Sequence, residues 1–209
     1  MPTLKQRLSA YRVIPVVTPT TVDATLSLAR ALSAGGIGAI EITLRTPDAL
    51  DVLRAVKESD IAIEVGVGTV TSPALVEAVA EVGVSFAISP GLTRSVLDAA
   101  RANGLELLPG VATPSELMLG LEYDLDFFKL FPAEAVGGQR MLKALSGPFP
   151  SISFCPTGGI GPSNAKDYLS LSNVVCVGGS WMVPQRPIEA GDWRTIEALS
   201  SEAIQLTRT

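Results

Sequence analysis

Residues 62–91 read AIEVGVGTVTSPALVEAVAEVGVSFAISPG and contain one full repeat of the pattern that decides the fold. An apolar run rich in β-branched residues lies at each end, and each run predicts a strand. Between them, Ser72-Pro73 supplies a hydroxyl N-cap and a first-turn proline, which predicts a helix over Pro73–Val82. Gly83 follows, as is typical of a helix end. The segment therefore predicts a strand, a helix and a second strand parallel to the first.

The same pattern recurs along the whole chain. Eight apolar runs, most of them nearly continuous, predict strands that are buried on both faces, as in a parallel sheet covered by helices. They begin near Val13, Ala39, Ala62, Phe86, Leu105, Asp126, Ser151 and Asn173. Eight strand–helix units in about 200 residues predict an α/β fold, a single (β/α)8 TIM barrel over residues 1–209 with a short N-terminal helix at Thr3–Ala10. An open doubly wound sheet is the alternative, but its usual glycine-rich first turn is missing from Thr18-Pro19-Thr20-Thr21.

Helix boundaries carry similar signals elsewhere in the chain. Thr46-Pro47 and Thr113-Pro114 predict two further helix starts with a hydroxyl cap. Gly35 and Gly104 are predicted to be left-handed residues just past helix ends.

Composition and charge exclude several classes of protein. The 209 residues are 47% hydrophobic and only 5% aromatic, which predicts an aliphatic core. The net charge of −5, without a long basic run, argues against a nucleic-acid partner. There is no histidine, so acid–base chemistry falls to other side chains and a His-ligated metal site is excluded. Cys155 and Cys176 have no CxxC pairing, which favours reduced thiols over a zinc or disulfide framework.

The chain carries no pattern of a secreted or membrane protein. The start, Met1-Pro2-Thr3-Leu4-Lys5, lacks an apolar stretch behind its charges, so no signal peptide is predicted. No uninterrupted apolar run approaches the roughly 20 residues needed to span a bilayer. We therefore expect a cytoplasmic protein with no membrane partner.

Charged residues interrupt two of the predicted strands. In Glu41-Ile42-Thr43-Leu44-Arg45 the period of two places Glu41, Thr43 and Arg45 on one face, which suggests a site; a structural Glu41–Arg45 ion pair is the alternative. In Phe127-Phe128-Lys129-Leu130-Phe131 a single lysine stands among apolar residues. Because burial disfavours the charged amine, Lys129 is predicted to be a nucleophile that forms a Schiff base with a carbonyl. A lysine that extends to solvent from the strand end is the alternative.

Glycines follow the last two predicted strands. They lie in Thr157-Gly158-Gly159-Ile160-Gly161 and in Gly178-Gly179-Ser180. Barrels commonly build a phosphate site in these two loops, from free backbone N–H groups. On strand three, the small residues of Gly66-Val67-Gly68-Thr69 are predicted to leave room for a ligand. Together these glycines predict a phosphorylated ligand.

Taken in order, the motifs resemble one family. They are Glu41-Ile-Thr-Leu-Arg45-Thr46, Gly66-Val-Gly-Thr69, Ser89-Pro90-Gly91, Pro109-Gly110, Phe128-Lys129-Leu-Phe131-Pro132-Ala133-Glu134, Cys155-Pro-Thr157-Gly158-Gly159-Ile160 and Gly178-Gly-Ser180-Trp181. Over essentially its whole length the chain resembles the bacterial 2-dehydro-3-deoxy-6-phosphogluconate (KDPG) aldolases, which also act as 4-hydroxy-2-oxoglutarate (KHG) aldolases. The ordered set is specific, although no single motif would be.

The resemblance implies a homotrimeric class I aldolase of the Entner–Doudoroff pathway that needs no metal or other cofactor. It would cleave KDPG reversibly into pyruvate and glyceraldehyde 3-phosphate. Lys129 would be the Schiff-base lysine and Glu41 the general acid and base. The other expected substrate-binding residues are Arg45 and Thr69 for the pyruvyl end, Pro90 and Phe131 for pocket shape, and Thr157, Gly158, Gly159, Gly179 and Ser180 for phosphate.

Other functions on the same fold stay open from the residues alone. An aldolase for the galactonate isomer would share Lys129 and Glu41 and differ in its pocket loops. A metal-dependent lyase or a sugar-phosphate epimerase would not need Lys129. A non-catalytic sugar-phosphate sensor would keep the glycine loops but would have no use for a buried lysine beside Glu41.

Overall fold

The computed structural model describes residues 2–207 and shows an α/β fold in which strands and helices alternate. The strands are β1 (Val13–Val17), β2 (Ala39–Thr43), β3 (Glu64–Gly68), β4 (Phe86–Ile88), β5 (Leu107–Leu108), β6 (Gly110–Val111), β7 (Phe127–Leu130), β8 (Ser153–Pro156) and β9 (Val177–Gly179). The helices are α1 (Leu4–Tyr11), α2 (Val22–Ala34), α3 (Ala49–Glu58), α4 (Pro73–Val82), α5 (Arg94–Ala102), α6 (Pro114–Leu121), α7 (Gly138–Ser146), α8 (Ala165–Leu169), α9 (Gln185–Ala190) and α10 (Trp193–Thr207), with a 3₁₀ helix at Glu134–Val136.

All eight predicted strand positions contain strands, with two differences. The fifth is divided into β5 and β6 at Pro109, which has no N–H to donate to a ladder. The last begins at Val177 rather than near Asn173, and Val174 forms only an isolated bridge to Phe154. The predicted N-terminal helix is present as α1.

The strands form two parallel sheets rather than one continuous sheet. Their orders are β5-β4-β3-β2-β1-β9 and β6-β7-β8. Across the break at Pro109, the Lys129 amide donates to the Pro109 carbonyl at 2.9 Å. An isolated parallel bridge joins Thr157 to Gly178, between the ends of β8 and β9. The predicted closed barrel is therefore seen as a six-stranded and a three-stranded parallel sheet.

Helix α1 covers the amino ends of the strands. Its buried Leu4 and Leu8 pack in a hydrophobic cluster with side chains of the strands. Arg7 bonds Glu64 at the start of β3 (2.9 Å) and Glu106 just before β5 (2.7 Å). Helix α1 therefore closes the amino end of the strands. The carboxyl end, where the residues that follow the strands lie, is left for a site.

Most of the predicted helix boundaries are confirmed. Ser72 and Thr113 cap α4 and α6 through their hydroxyls, with the prolines in the first turn. Gly83 and Gly104 have left-handed φ angles of +70° and +62°.

Two boundary predictions are wrong. Gly35 has φ −74°, and the left-handed residue after α2 is Gly36, at +93°. Gly35 is needed instead for close packing, since a Cβ there would overlap Ser200 of α10. Helix α3 begins at Ala49, because the Thr46 carbonyl first accepts from the Ala49 amide in a separate turn (3.2 Å).

We predict that Gly66→Ala destabilises the protein. A Cβ on Gly66 would overlap the buried ring of Phe86 on the neighbouring strand. Overpacking of this kind costs about 1–3 kcal/mol, which thermal unfolding would measure. Gly91→Ala is the matched control, since no described heavy atom lies within 4 Å of its added Cβ. Equal melting temperatures for the two variants would contradict the packing.

Candidate active site

The amine of Lys129 and the carboxylate of Glu41 form a buried ion pair. Lys129 lies on β7 and Glu41 on β2, and Nζ donates to Oε1 at 3.1 Å and to Oε2 at 3.2 Å. The two residues are only 4% and 2% exposed. Lys129 therefore does not extend to solvent, and the carboxylate of Glu41 is bound by Lys129 rather than by Arg45.

Gly68 makes the position of the Glu41 carboxylate possible. It lies opposite Thr43 on the neighbouring strand, and a Cβ on Gly68 would overlap the Glu41 carboxylate. The prediction that the glycines of strand three leave room for a ligand is therefore wrong. Gly68 leaves room for Glu41, and Gly66 leaves room for Phe86.

Arg45 and Thr69 meet at the carboxyl ends of β2 and β3. Arg45 Nε donates to Thr69 Oγ1 at 3.3 Å. Thr69 has φ +66°, a conformation that costs a β-branched residue energy and that is often found at functional sites. Since Thr69 directly follows Gly68, this pair lies next to the Glu41 carboxylate, and the exposed guanidinium offers a planar set of donors to an anion.

Thr43 shares a strand face with Glu41 and Arg45 but has a structural role. Its hydroxyl donates to the Val17 carbonyl at 3.0 Å, at the end of β1. The residue is completely buried. This hydrogen bond holds β1 and β2 together beside Glu41.

Phe131 and Pro90 lie close to Lys129 and its neighbouring strand. The Phe131 ring centroid is 5.2 Å from Lys129 Nζ, a cation–π distance. Gly110 pairs with Lys129, and a Cβ on Gly110 would overlap the Pro90 carbonyl. The backbone of Pro90 thus reaches the strand next to the lysine.

The two predicted glycine loops are neighbours. Gly158 and Gly159 have φ angles of +102° and +78°, which only glycine adopts easily. A Cβ on Gly179 would be 3.3 Å from the Ile160 carbonyl oxygen, so the end of β9 lies beside the loop after β8. Ser180 is exposed.

Thr157, one of the predicted phosphate residues, has a buried side chain. Its hydroxyl lies where a Cβ on Gly178 would be, and 4.0 Å from Cys155 Sγ. Gly178 therefore serves packing, as Gly68 does. A sequence contains no direct signal for this use of glycine, because the partner side chain lies on a distant strand.

The arrangement is suited to carbonyl chemistry. An amine held within hydrogen-bonding distance of a carboxylate can pass its proton to that carboxylate and attack a carbonyl carbon. Burial excludes bulk water and strengthens the electrostatic interactions around the two groups. The exposed guanidinium and the glycine loops lie at the same, carboxyl end of the strands.

A family model described as "KDPG and KHG aldolase" matches residues 4–199. The chain belongs to the KDPG and KHG aldolase family.

Family members match over nearly the whole chain. The KHG/KDPG aldolase of Escherichia coli K12 is 48% identical over 198 residues, which cover 95% of this chain and 93% of that protein. The KDPG aldolase of Legionella pneumophila, with pyruvate captured at low pH as a covalent carbinolamine intermediate, is 46% identical with a TM-score of 0.91, covering 94% of this chain and 96% of the other. The 2-keto-3-deoxy-6-phosphogluconate aldolase of Zymomonas mobilis with 3-phosphoglycerate is 41% identical with a TM-score of 0.90, covering 96% and 94%.

Within residues 2–207, no helix combines the length and apolar character that crossing a membrane requires. Nor do three or more Cys, Asp or Glu residues of this part of the chain gather into a group that could hold a metal ion.

We predict that Lys129→Met is strongly destabilising. It leaves the Glu41 carboxylate buried without its cation, a change that costs about 3–5 kcal/mol in other proteins. Chemical denaturation at neutral pH measures the loss. In the Lys129→Met/Glu41→Gln double variant the buried charge is gone, so a large part of the stability should return. Strictly additive losses would show that the two groups do not interact.

Proposed function

We propose that this chain is a class I aldolase that cleaves KDPG reversibly to pyruvate and glyceraldehyde 3-phosphate. The same site would cleave KHG to pyruvate and glyoxylate. The observation that carries the proposal is the buried Lys129 amine held 3.1 Å from the buried Glu41 carboxylate. The relatives support it through the substrates in their names and through the pyruvate carbinolamine of the Legionella enzyme.

The reaction begins when Lys129 gives a proton to Glu41 and its lone pair attacks C2 of the substrate. The carbinolamine that forms loses its oxygen as water, with a proton from Glu41, and becomes a protonated imine. The cationic imine nitrogen withdraws electrons from C3. Lys129 is therefore both the nucleophile and the attachment point of the electron sink.

Carbon–carbon cleavage follows. Glu41 accepts the proton of the C4 hydroxyl, directly or through one water, as the C3–C4 bond breaks. The electrons of the broken C3–C4 bond form the enamine, and C4 leaves as the aldehyde carbon of glyceraldehyde 3-phosphate. Protonation of the enamine at C3 restores the imine, and water then hydrolyses it to pyruvate and free Lys129.

The remaining site residues bind the two ends of the substrate. The Arg45 guanidinium, oriented by its bond to Thr69, suits the pyruvyl carboxylate. Pro90 and Phe131 shape the pocket near Lys129. The phosphate would be held at the ends of β8 and β9 and in the loops that follow them, by Thr157, Gly158, Gly159, Gly179 and Ser180. Bare glycine N–H groups there suit a phosphate because they can approach it closely.

We further propose that residues 1–209 form one domain with a closed (β/α)8 barrel. Two links support closure: the Lys129–Pro109 backbone bond across the gap between β5 and β7, and the Thr157–Gly178 bridge across the gap between β8 and β9. Each gap lies at or beside a proline, Pro109 or Pro156, which cannot donate to the ladder.

A cytoplasmic homotrimer is the proposed assembly. The exposed Met118 and Leu121 on α6 are 60% and 42% accessible and would gain from burial between copies. The buried free thiols of Cys155 and Cys176 suit a reducing compartment. Light scattering of the purified protein would measure the number of subunits.

We predict that borohydride with pyruvate adds one reduced adduct per chain, on the peptide that contains Lys129. Intact mass and peptide mapping measure the site. Lys129→Arg should show no adduct and almost no cleavage, because a guanidinium stays protonated and cannot attack a carbonyl. Lys143→Arg is the matched control and should behave as wild type. An adduct on Lys143 or Lys166 would refute the assignment.

We predict that Glu41→Gln lowers turnover far more than affinity. The amide keeps the size of the side chain but not its acid–base function, which is worth roughly 10²–10⁴-fold. Steady-state kinetics with KDPG, KHG and the galactonate isomer of KDPG would measure turnover and substrate preference together. Wild-type turnover in Glu41→Gln would mean that Glu41 only neutralises Lys129.

A further inference from the structure

We infer that Glu134 and Tyr168 are positioning residues that hold the glycine loop after β8 in the conformation that receives the substrate phosphate. The inference rests on the proposed function. Neither residue belongs to the Lys129–Glu41 pair, and the sequence patterns give no role to either. Glu134 begins the 3₁₀ helix that follows the Lys129 strand, and Tyr168 lies on α8, which follows the glycine loop.

Two backbone hydrogen bonds join the loop after Lys129 to the glycine loop. The Ala133 amide donates to the Thr157 carbonyl at 2.8 Å, and the Glu134 amide donates to the Gly158 carbonyl at 3.1 Å. These two bonds therefore fix the position of Gly158 and Gly159 relative to the strand that carries the reacting lysine. In this way the separation between the covalent end of the site and its phosphate end is set.

The Glu134 side chain packs against Gly159. A Cβ built on Gly159 would lie 2.5 Å from Glu134 Cγ but 4.0 Å from Cδ. The methylene groups thus face the glycine, and the carboxylate points away from it. A carboxylate that turned towards the loop would repel a phosphate, so the direction in which it points matters for binding.

Tyr168 fixes that direction. Its ring is completely buried, and its hydroxyl donates to Glu134 Oε1. Burial, and then the bond to Glu134, raises the pKa of the Tyr168 phenol, so the hydroxyl remains a donor at all working pH values. Gly138 leaves the space for this bond, since a Cβ added at Gly138 would be 2.5 Å from the Tyr168 hydroxyl oxygen.

A second residue holds the loop independently of Glu134. Asn164 Nδ2 donates to the Gly159 carbonyl at 3.0 Å, and its Oδ1 accepts from the Gly161 amide at 2.9 Å. Glu134 consequently supports Gly159 through packing, and Asn164 supports it through a hydrogen bond to its carbonyl. Loss of the Tyr168 hydroxyl should release the Glu134 side chain while the loop stays attached through Asn164.

The test is Tyr168→Phe, which removes one oxygen and keeps the buried ring. We expect the KM for KDPG to rise about tenfold, the usual scale for loss of one hydrogen bond to a charged group. Cleavage of KHG, which has no phosphate, and borohydride trapping with pyruvate should stay at wild-type levels. Tyr123→Phe is the matched control, since the Tyr123 hydroxyl donates to the Asp98 carboxylate at 2.9 Å, away from the site.

A second pair of variants keeps the test decisive if Tyr168→Phe folds poorly. Glu134→Ala should reproduce the selective rise in KM for KDPG, and Glu134→Gln should restore most of the affinity because its amide oxygen still accepts from Tyr168. An unchanged KM for KDPG, or an equal loss with KDPG and KHG, would overturn the inference. Wild-type protein that neither traps pyruvate nor cleaves KHG would instead refute the proposed function.

Discussion

The ion pair between Lys129 and Glu41 is the constraint on which the rest of the site depends. Two charged groups with at most 4% exposure are costly to bury, and the cost is tolerable only while each satisfies the other. Strands β2 and β7, which are not neighbours in a sheet, must therefore keep a fixed position relative to each other. The glycine at position 68 is one consequence, because a Cβ there would overlap the Glu41 carboxylate and prevent its approach to Lys129.

The carboxyl ends of the strands extend this site in two directions. On one side, Arg45 and Thr69 continue from Glu41 along β2 and β3. On the other, the chain that leaves Lys129 is bonded through Ala133 and Glu134 to the glycine loop after β8. A substrate with a carboxylate at one end and a phosphate at the other, joined by a carbonyl near the carboxylate, has the same order of groups. The opposite end of the strands is closed by α1.

The positions of the strands and the reactive lysine could be predicted from the sequence, because each is marked by a local pattern of apolar and charged residues. The eight apolar runs, and the lone lysine among the apolar residues of β7, can be recognised without knowing which residues they contact. The functions of Gly66 and Gly68, and the role of Glu134, could not be read in the same way, since each depends on a residue distant in the chain. Gly35 and Thr46 misled because a glycine or a threonine–proline pair near a helix boundary has several possible uses. Gly35 serves packing against α10, and Thr46 forms a turn before α3.

In the proposed reaction, Lys129 activates a bound oxo acid through an imine while Glu41 moves the proton. Exchange of the pyruvate methyl protons with D₂O, followed by NMR in the absence of any aldehyde, measures both steps. An imine at C2 acidifies these protons, so wild-type enzyme should replace them with deuterium. Lys129→Arg should abolish the exchange, and Glu41→Gln should slow it by roughly 10²-fold or more. Absence of exchange with wild-type enzyme, or exchange that persists in Lys129→Arg, would contradict the account.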